Sequence, residues 1–210
     1  MLGGFFMKRT TYDLALELYD LKEYEKAFEL YLKGAKENNV NCYFSLGMCY
    51  ENGDGVEKNL EKAVYWYTKA AELGDARAQC NLGLCYKYGD GVEKNLEKAV
   101  YWYTKAAEQD YARAQCNLGN CYENGDGVEK NLEKAVYWYT KSAEQGNARA
   151  QSCLGACFRF GNGIEKDLKK AVYWYTKAAD QDYAGAQCNL GLCYEFGDGR
   201  LPQTQAPLRL

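Results

Sequence analysis

Apolar and polar positions recur with a fixed period along most of the chain. Trp66, Trp102, Trp138 and Trp174 stand 36 residues apart, and the Leu-Gly pairs at 46, 82, 118, 154 and 190 keep the same spacing. A period of this length marks one supersecondary unit repeated in tandem. Within a unit, Ala78, Leu82, Cys85 and Tyr86 fall at i, i+4, i+7 and i+8, which is one face of a helix from Ala76 to Tyr88. Gly83 inside that helix costs about 1 kcal/mol against alanine, and its compensation is the close approach of a partner helix. Gly89-Asp90-Gly91-Val92-Glu93-Lys94 then ends the helix, because glycine takes the left-handed C-terminal conformation without a side-chain clash. Asn95 caps a second helix, Leu96 to Glu108, and Asp167 takes the capping role in a later unit. That helix places Ala99, Trp102, Tyr103 and Ala106 on one stripe and turns Glu97, Lys98 and Lys105 to water.

A hairpin this small cannot bury its own apolar faces, so stability requires stacking on its neighbours. The pattern predicts an all-α fold, a solenoid of tandem helix-turn-helix repeats. It is divided into a tail (1–8), a short first repeat (9–38), full repeats at 39–74, 75–110, 111–146 and 147–182, a half repeat (183–199) and a C-terminal tail (200–210). The repeats at 75–110 and 111–146 differ only at positions 75, 84, 87, 88, 106 and 110, the mark of a recent duplication.

The elements Ala-x-Ala-Gln-x-x-Leu-Gly, Gly-Asp-Gly-Val-x-Lys-Asn and Lys-Ala-Val-Tyr-Trp-Tyr-Thr-Lys-Ala-Ala-Glu resemble the Sel-1-like repeat family, related to the tetratricopeptide repeats. The resemblance covers about residues 39 to 199. It implies a right-handed α/α superhelix whose members act mainly as adaptors that assemble protein complexes, in signalling, quality control or enzyme activation. The first repeat departs from the pattern by lacking the glycine loop and is more tetratricopeptide-like. After Gly199 the expected Val-Glu-Lys-Asn gives way to Arg200-Leu201-Pro202-Gln203, so the sixth hairpin loses its second helix. The family's disulfide-rich branch has a cysteine at the end of the second helix, where this chain has Ala71, Ala107, Ala143 and Ala179.

Charge is high but balanced, 26 Lys+Arg against 29 Asp+Glu, which argues against binding a nucleic-acid backbone. Met1 to Phe6 is shorter than a signal-peptide core of about 7 to 15 residues, and its basic residues follow it. No apolar run of about 18 residues occurs, so no membrane span is expected and the location expected is cytoplasmic. Histidine is absent, which removes the commonest general base and metal ligand. Ser45, Ser142 and Ser152 occupy ordinary helical positions. The ten cysteines form no zinc-binding pattern. Asp54, Asp90, Asp126 and Asp198 sit between glycines as turn residues, without the alternating oxygen ligands of a calcium loop. Neither a cofactor nor an enzymatic activity is expected.

Differences between the repeats gather at Leu84, Lys87 and Tyr88, at Asn120, Glu123 and Asn124, and at Ala156, Arg159 and Phe160. Their i, i+3, i+4 spacing makes one face of the first helix, expected opposite its buried stripe. In tetratricopeptide-like superhelices that helix lines the concave groove. Arg77, Arg113 and Arg149, with Asn81, Asn117 and Asn189, recur on or near this face. Arginine suits carboxylates, and asparagine suits an extended peptide backbone. The partner-binding set expected is therefore Arg77, Asn81, Leu84, Lys87, Tyr88, Arg113, Asn117, Asn120, Asn124, Arg149 and Phe160. The function expected is a non-enzymatic adaptor for a protein or peptide segment, extended or acidic, by a monomer able to self-associate through its half repeat. One alternative is an enzyme-activating subunit docking through an outer ridge of Tyr65, Tyr101, Tyr137 and Tyr173. The other is a hydrolase of the cysteine-rich branch.

Cys80/Cys85, Cys116/Cys121 and Cys188/Cys193 are five apart on one helix and out of mutual bonding range. Thiol counting under denaturing, non-reducing conditions should therefore find all ten cysteines free. Several stable disulfides would overturn the cytoplasmic expectation.

Overall fold

The computed structural model describes residues 9–195, which divide into two compact units at Gln109 and Asp110. In the first unit α1 (Thr11–Asp20) pairs with α2 (Tyr24–Lys36), α3 (Val40–Asn52) with α4 (Leu60–Glu72), and α5 (Ala76–Tyr88) with α6 (Leu96–Ala107). Helix α2 packs on α3 and α4 on α5, joining the three hairpins in series. In the second unit α7 (Ala112–Asn124) pairs with α8 (Leu132–Glu144) and α9 (Ala148–Phe160) with α10 (Leu168–Ala179). There α8 packs on α9, and α11 (Ala184–Glu195) on α10. Among the described residues there is no strand. The architecture is a helical solenoid of tandem helix-turn-helix repeats, as the periodicity predicted. The tails and residues 196–199 of the half repeat lie outside the described residues.

Short-range chemistry ends and starts each helix. Gly53, Gly89, Gly125 and Gly161 adopt the left-handed conformation, with φ between 75° and 89°, as C-caps of α3, α5, α7 and α9. Each donates its N–H to the carbonyl of the cysteine four residues earlier, at 2.8 to 2.9 Å. Two residues on, Gly55 and Gly91 lie against backbone in the first turn of the preceding repeat's second helix, at Tyr24 and Leu60. Gly163 does the same at Leu132. A side chain there would overlap a carbonyl, so the Gly-Asp-Gly loop doubles as an inter-repeat contact. Asn59, Asn95 and Asn131 then cap α4, α6 and α8, each Oδ1 accepting from the backbone N–H three residues on at 2.8 to 2.9 Å. Asp167 does so for α10 at 3.0 Å. The first hairpin lacks the glycine loop, as anticipated, and turns instead through Leu21-Lys22-Glu23 with Lys22 at φ 61°.

The core repeats with the same period. Tyr31, Tyr67, Tyr103, Tyr139 and Tyr175 are at most 2% exposed, as are Leu46, Leu82, Leu118 and Leu154. Each full repeat seats its tyrosine ring against the glycine of the facing helix. A Cβ at Gly83 would lie 2.6 Å from a Tyr103 ring carbon, one at Gly119 2.6 Å from Tyr139, and one at Gly155 2.8 Å from Tyr175. The close approach predicted for Gly83 is therefore present, with a ring rather than a backbone as the neighbour.

Buried glutamines bind consecutive hairpins. Gln79 Nε2 donates to the Ala71 carbonyl at the end of α4 at 3.0 Å, and Gln79 Oε1 accepts from Gln109 at 2.8 Å. In the second unit Gln151 donates to the Ala143 carbonyl at 3.1 Å and accepts from Gln181 at 2.8 Å. Gln79 and Gln151 are each 4% exposed, so these bonds satisfy helix-end carbonyls that water does not reach.

Gly83→Ala should destabilise the fold by about 1–3 kcal/mol, because overpacking against Tyr103 outweighs the gain of about 1 kcal/mol in helix propensity. Nothing lies within 4 Å of a Cβ at Gly191 in α11, so Gly191→Ala should be neutral or stabilising. Urea denaturation of both variants checks the pair; equal and opposite signs to these would remove the ring-on-glycine account.

Candidate functional site

The first helices of the hairpins carry most of the chain's repeat-to-repeat variation, and each unit presents its own stretch of this face. In the first unit Tyr12 and Leu16 of α1, Phe44 and Met48 of α3, and Arg77 of α5 line a cavity of about 210 Å³, with Tyr19, Tyr31 and Ser45 completing the wall. The cavity is mainly aromatic and aliphatic. Its polar edge is Arg77, whose guanidinium lies 4.4 Å from the Phe44 ring centroid and donates to Asn41 Oδ1 at 2.7 Å.

Arg77 is held in place. Asp75 caps α5 through Oδ1, which accepts from the Ala78 N–H at 3.0 Å, and its carboxylate also pairs with the Arg77 guanidinium. The hydrogen bond to Asp75 raises the Arg77 pKa above its ordinary value. Asp75 is 8% exposed and Arg77 37%. The expectation of an arginine open to carboxylates is thus corrected at Arg77, whose charge is already met by Asp75. In the second unit Tyr111 and Asn147 stand where the first has Asp75, and Arg113 and Arg149 are exposed.

The remaining members of the expected set divide. Tyr88 and Phe160 close α5 and α9 and are both 64% exposed. Asn124, at the same place in α7, is exposed as well. Leu84, Lys87 and Asn120 are half-buried. Asn120 donates to the Cys116 carbonyl at 2.8 Å. Asn81 is half-buried and hydrogen-bonds the Tyr67 hydroxyl of the preceding hairpin. Asn117 is buried, so neither asparagine stands open on the face.

The placement of position 87 and its equivalents also differs from the sequence expectation. Rather than lying opposite the core, Glu51 and Glu123 accept hydrogen bonds from the core tyrosines Tyr67 and Tyr139, the latter at 2.7 Å. Burial pushes both phenols well above the ordinary tyrosine value, and the carboxylates add to it. A first helix is flanked by helices on both sides, so the face opposite its main stripe is narrow. Only its C-terminal end, at 88 and 160, projects freely.

Sequence reasoning missed Tyr12, Leu16, Phe44 and Met48. The available signal was Phe44 and Met48, two large apolar residues where the next repeat has Cys80 and Leu84, together with Leu16 at 41% exposure on a short helix. The outer ridge is present. Tyr65, Tyr101, Tyr137 and Tyr173 are 52 to 54% exposed, each set edge-on to the neighbouring tryptophan at 5.0 to 5.1 Å. A lysine four residues on covers each ring at 5.2 to 5.8 Å. Among the described residues no group of three metal-ligating side chains converges, and no helix is long and apolar enough to cross a membrane.

A family model described as "Sel1 repeat" matches residues 12–39, 40–75, 76–111, 112–147, 148–183 and 184–206. The crystal structure of a Sel1 repeat protein from Oxalobacter formigenes is 40% identical, with a TM-score of 0.85 over 90% of this chain and 76% of that one. Similar too is c5321, a protective antigen of uropathogenic Escherichia coli strains, at 34% identity and a TM-score of 0.84 over 89% of this chain. This chain spans 41% of that protein's length. Cysteine rich protein B of Helicobacter pylori is 30% identical over 63% of this chain and 96% of its own, with a TM-score of 0.52. No curated protein matches.

Asp75→Asn keeps a capping oxygen, as Asn147 supplies for α9, and should leave stability nearly unchanged. Asp75→Ala removes both the cap and the partner of Arg77, and should cost about 1–2 kcal/mol in urea denaturation. Equal losses for the two variants would mean that the ion pair, not the cap, is what Asp75 contributes.

Proposed function

The chain belongs to the Sel1 repeat family, whose members generally serve as protein-interaction scaffolds, and from that membership and its first-helix faces we propose a non-enzymatic adaptor that binds an extended protein segment. The carrying observation is the cavity of about 210 Å³ under α1, α3 and α5, an aromatic recess with a fixed guanidinium at its edge. Such a recess suits an apolar side chain of a bound segment, and Arg77 can still offer donors to a backbone carbonyl beside it. Tyr88 supplies an exposed aromatic anchor in the first unit and Phe160 in the second. Arg113 and Arg149 give the second unit exposed positive charge, which favours a segment with acidic residues. The fold is generally a non-catalytic one, and the chain's lack of histidine agrees with a binding role.

Docking through the outer tyrosine ridge is the second reading, favoured by four half-exposed rings at one repeating position. The two readings separate experimentally. With a partner recovered by affinity capture and identified by mass spectrometry, the variant Tyr88→Ala/Phe160→Ala/Arg113→Glu should weaken binding by roughly thirtyfold or more, with an unchanged helical melt. Tyr65→Ala/Tyr137→Ala should change affinity little. The opposite pattern would replace the first-helix face with the outer ridge.

A further inference from the structure

One junction between repeats carries a thiol at each of two facing positions. Position 116 of α7 and position 153 of α9 hold cysteines, whereas the equivalent residue pairs elsewhere are Phe44 and Asn81, Cys80 and Asn117, and Ser152 and Asn189. Cys153 thus stands where three other repeats have asparagine. Cys116 is 2% exposed and Cys153 half-buried, and both belong to the cluster that packs Tyr139, Leu154 and Cys157.

The two thiols hydrogen-bond each other across the repeat junction. The Tyr139 hydroxyl of α8, which also bonds Glu123 Oε2 at 2.7 Å, reaches Cys153 as well. Asn120 Nδ2 lies 3.8 Å from Cys116 Sγ. Arg149, one turn before Cys153 on α9, acts on both sulfurs, and the Glu123 carboxylate opposes it at Cys153. The hydrogen bond with Cys116 holds the Cys153 thiol below its ordinary value against the effect of burial, while Cys116 is pushed up. Cys49, Cys85 and Cys157 have only burial and neighbouring carboxylates acting on them, which push each up to about 12 and keep it a thiol.

We propose that Cys116 and Cys153 form a reversible disulfide that staples α7 to α9, with a small hydroperoxide as the oxidant. Cys153, the more accessible sulfur, attacks the peroxide as thiolate. The S–O bond forms as the O–O bond breaks, giving a sulfenic acid and hydroxide, which takes up the proton that the thiol released. Cys116 then attacks the Cys153 sulfur, the S–O bond breaks, and the oxygen leaves as water with the Cys116 proton. Overall two thiols and one hydrogen peroxide give one disulfide and two waters: the sulfurs are oxidised by two electrons and the peroxide oxygens reduced. The bridge joins the first helices of two successive repeats and closes the chain between 116 and 153. Opening of that junction becomes rarer, and Cys153 is withdrawn as a thiol beside Arg149.

The full-length chain, reduced and then treated with one equivalent of hydrogen peroxide, is digested under non-reducing conditions and mapped by mass spectrometry. The expected product is a linked peptide pair containing Cys116 and Cys153, lighter by two hydrogens, with a raised melting temperature and full reversal by dithiothreitol. Cys153→Asn, the residue of other repeats, and Cys153→Ser, as in Ser45, should keep the helical melt and abolish both the linkage and the shift. Cys188→Ser removes an exposed thiol elsewhere and should abolish neither. Accumulation of Cys153 as sulfinic acid with Cys116 unmodified would overturn the proposal. So would Cys153 linked to Cys157, or oxidation confined to Cys188.

Discussion

Each full hairpin depends on a tyrosine ring of its second helix lying against a glycine of its first, as Tyr103 lies on Gly83 and Tyr139 on Gly119. A helix interior gives up about 1 kcal/mol to hold glycine, and that loss is offset only because the missing methyl lets a large ring reach the facing backbone. The rest of the repeat follows from this approach. The ring fills the hairpin and becomes its most deeply buried large side chain, and its hydroxyl must then find a partner where water is excluded. Glu51 and Glu123 supply it from the same hairpin, and Ser45, Asn81 and Cys153 from the next. The Tyr175 hydroxyl, next to the last described helix, is buried without a hydrogen-bond partner among the described residues.

The links between hairpins are polar and local. A glutamine side chain meets a helix-end carbonyl, a glycine loop sits on the first turn of the preceding second helix, and the hydroxyl of a core tyrosine meets the following first helix. Stability in such an array is approximately a sum of hairpin terms and nearest-neighbour terms. An exchange at one junction position therefore alters one interface and leaves the others intact. The cysteine at 153 is such an exchange: it keeps the hydrogen bond to Tyr139 that asparagine makes elsewhere to Tyr67, and brings sulfur chemistry to a single junction.

Variation between repeats is confined by the same geometry. Positions 84 and 87 are pressed between neighbouring helices, so their differences adjust packing and the charge beside the core tyrosines. Positions 88 and 160 lie at helix ends, just before the left-handed glycine, and an aromatic there projects into solvent. Recognition is left to these ends, to Arg113 and Arg149, and to the recess under α1, α3 and α5. That recess exists because the first hairpin is shorter and lacks the loop that would otherwise follow α1.

The sequence by itself determined the helices, their caps and their order. These rest on interactions within four residues: Asn95 with the Lys98 N–H, Gly89 with the Cys85 carbonyl, and a stripe of apolar residues at helical spacing. It also determined that Gly83 marks a close approach, because a glycine inside a helix requires compensation. Tertiary structure alone decided which polar residues were already used. Asp75 and Arg77 are two apart and read as separate charges until their side chains are seen paired; Asn81 reads as an open donor until Tyr67 of the preceding hairpin reaches it. Glu123 reads as solvated until the Tyr139 hydroxyl is placed 2.7 Å away. The recess and the Cys116–Cys153 meeting are likewise tertiary, since residues 32 and 37 positions apart are brought together only by stacking one hairpin on the next. Periodicity reports which face of a helix is apolar, and stacking decides which polar groups on the other faces remain open to a partner.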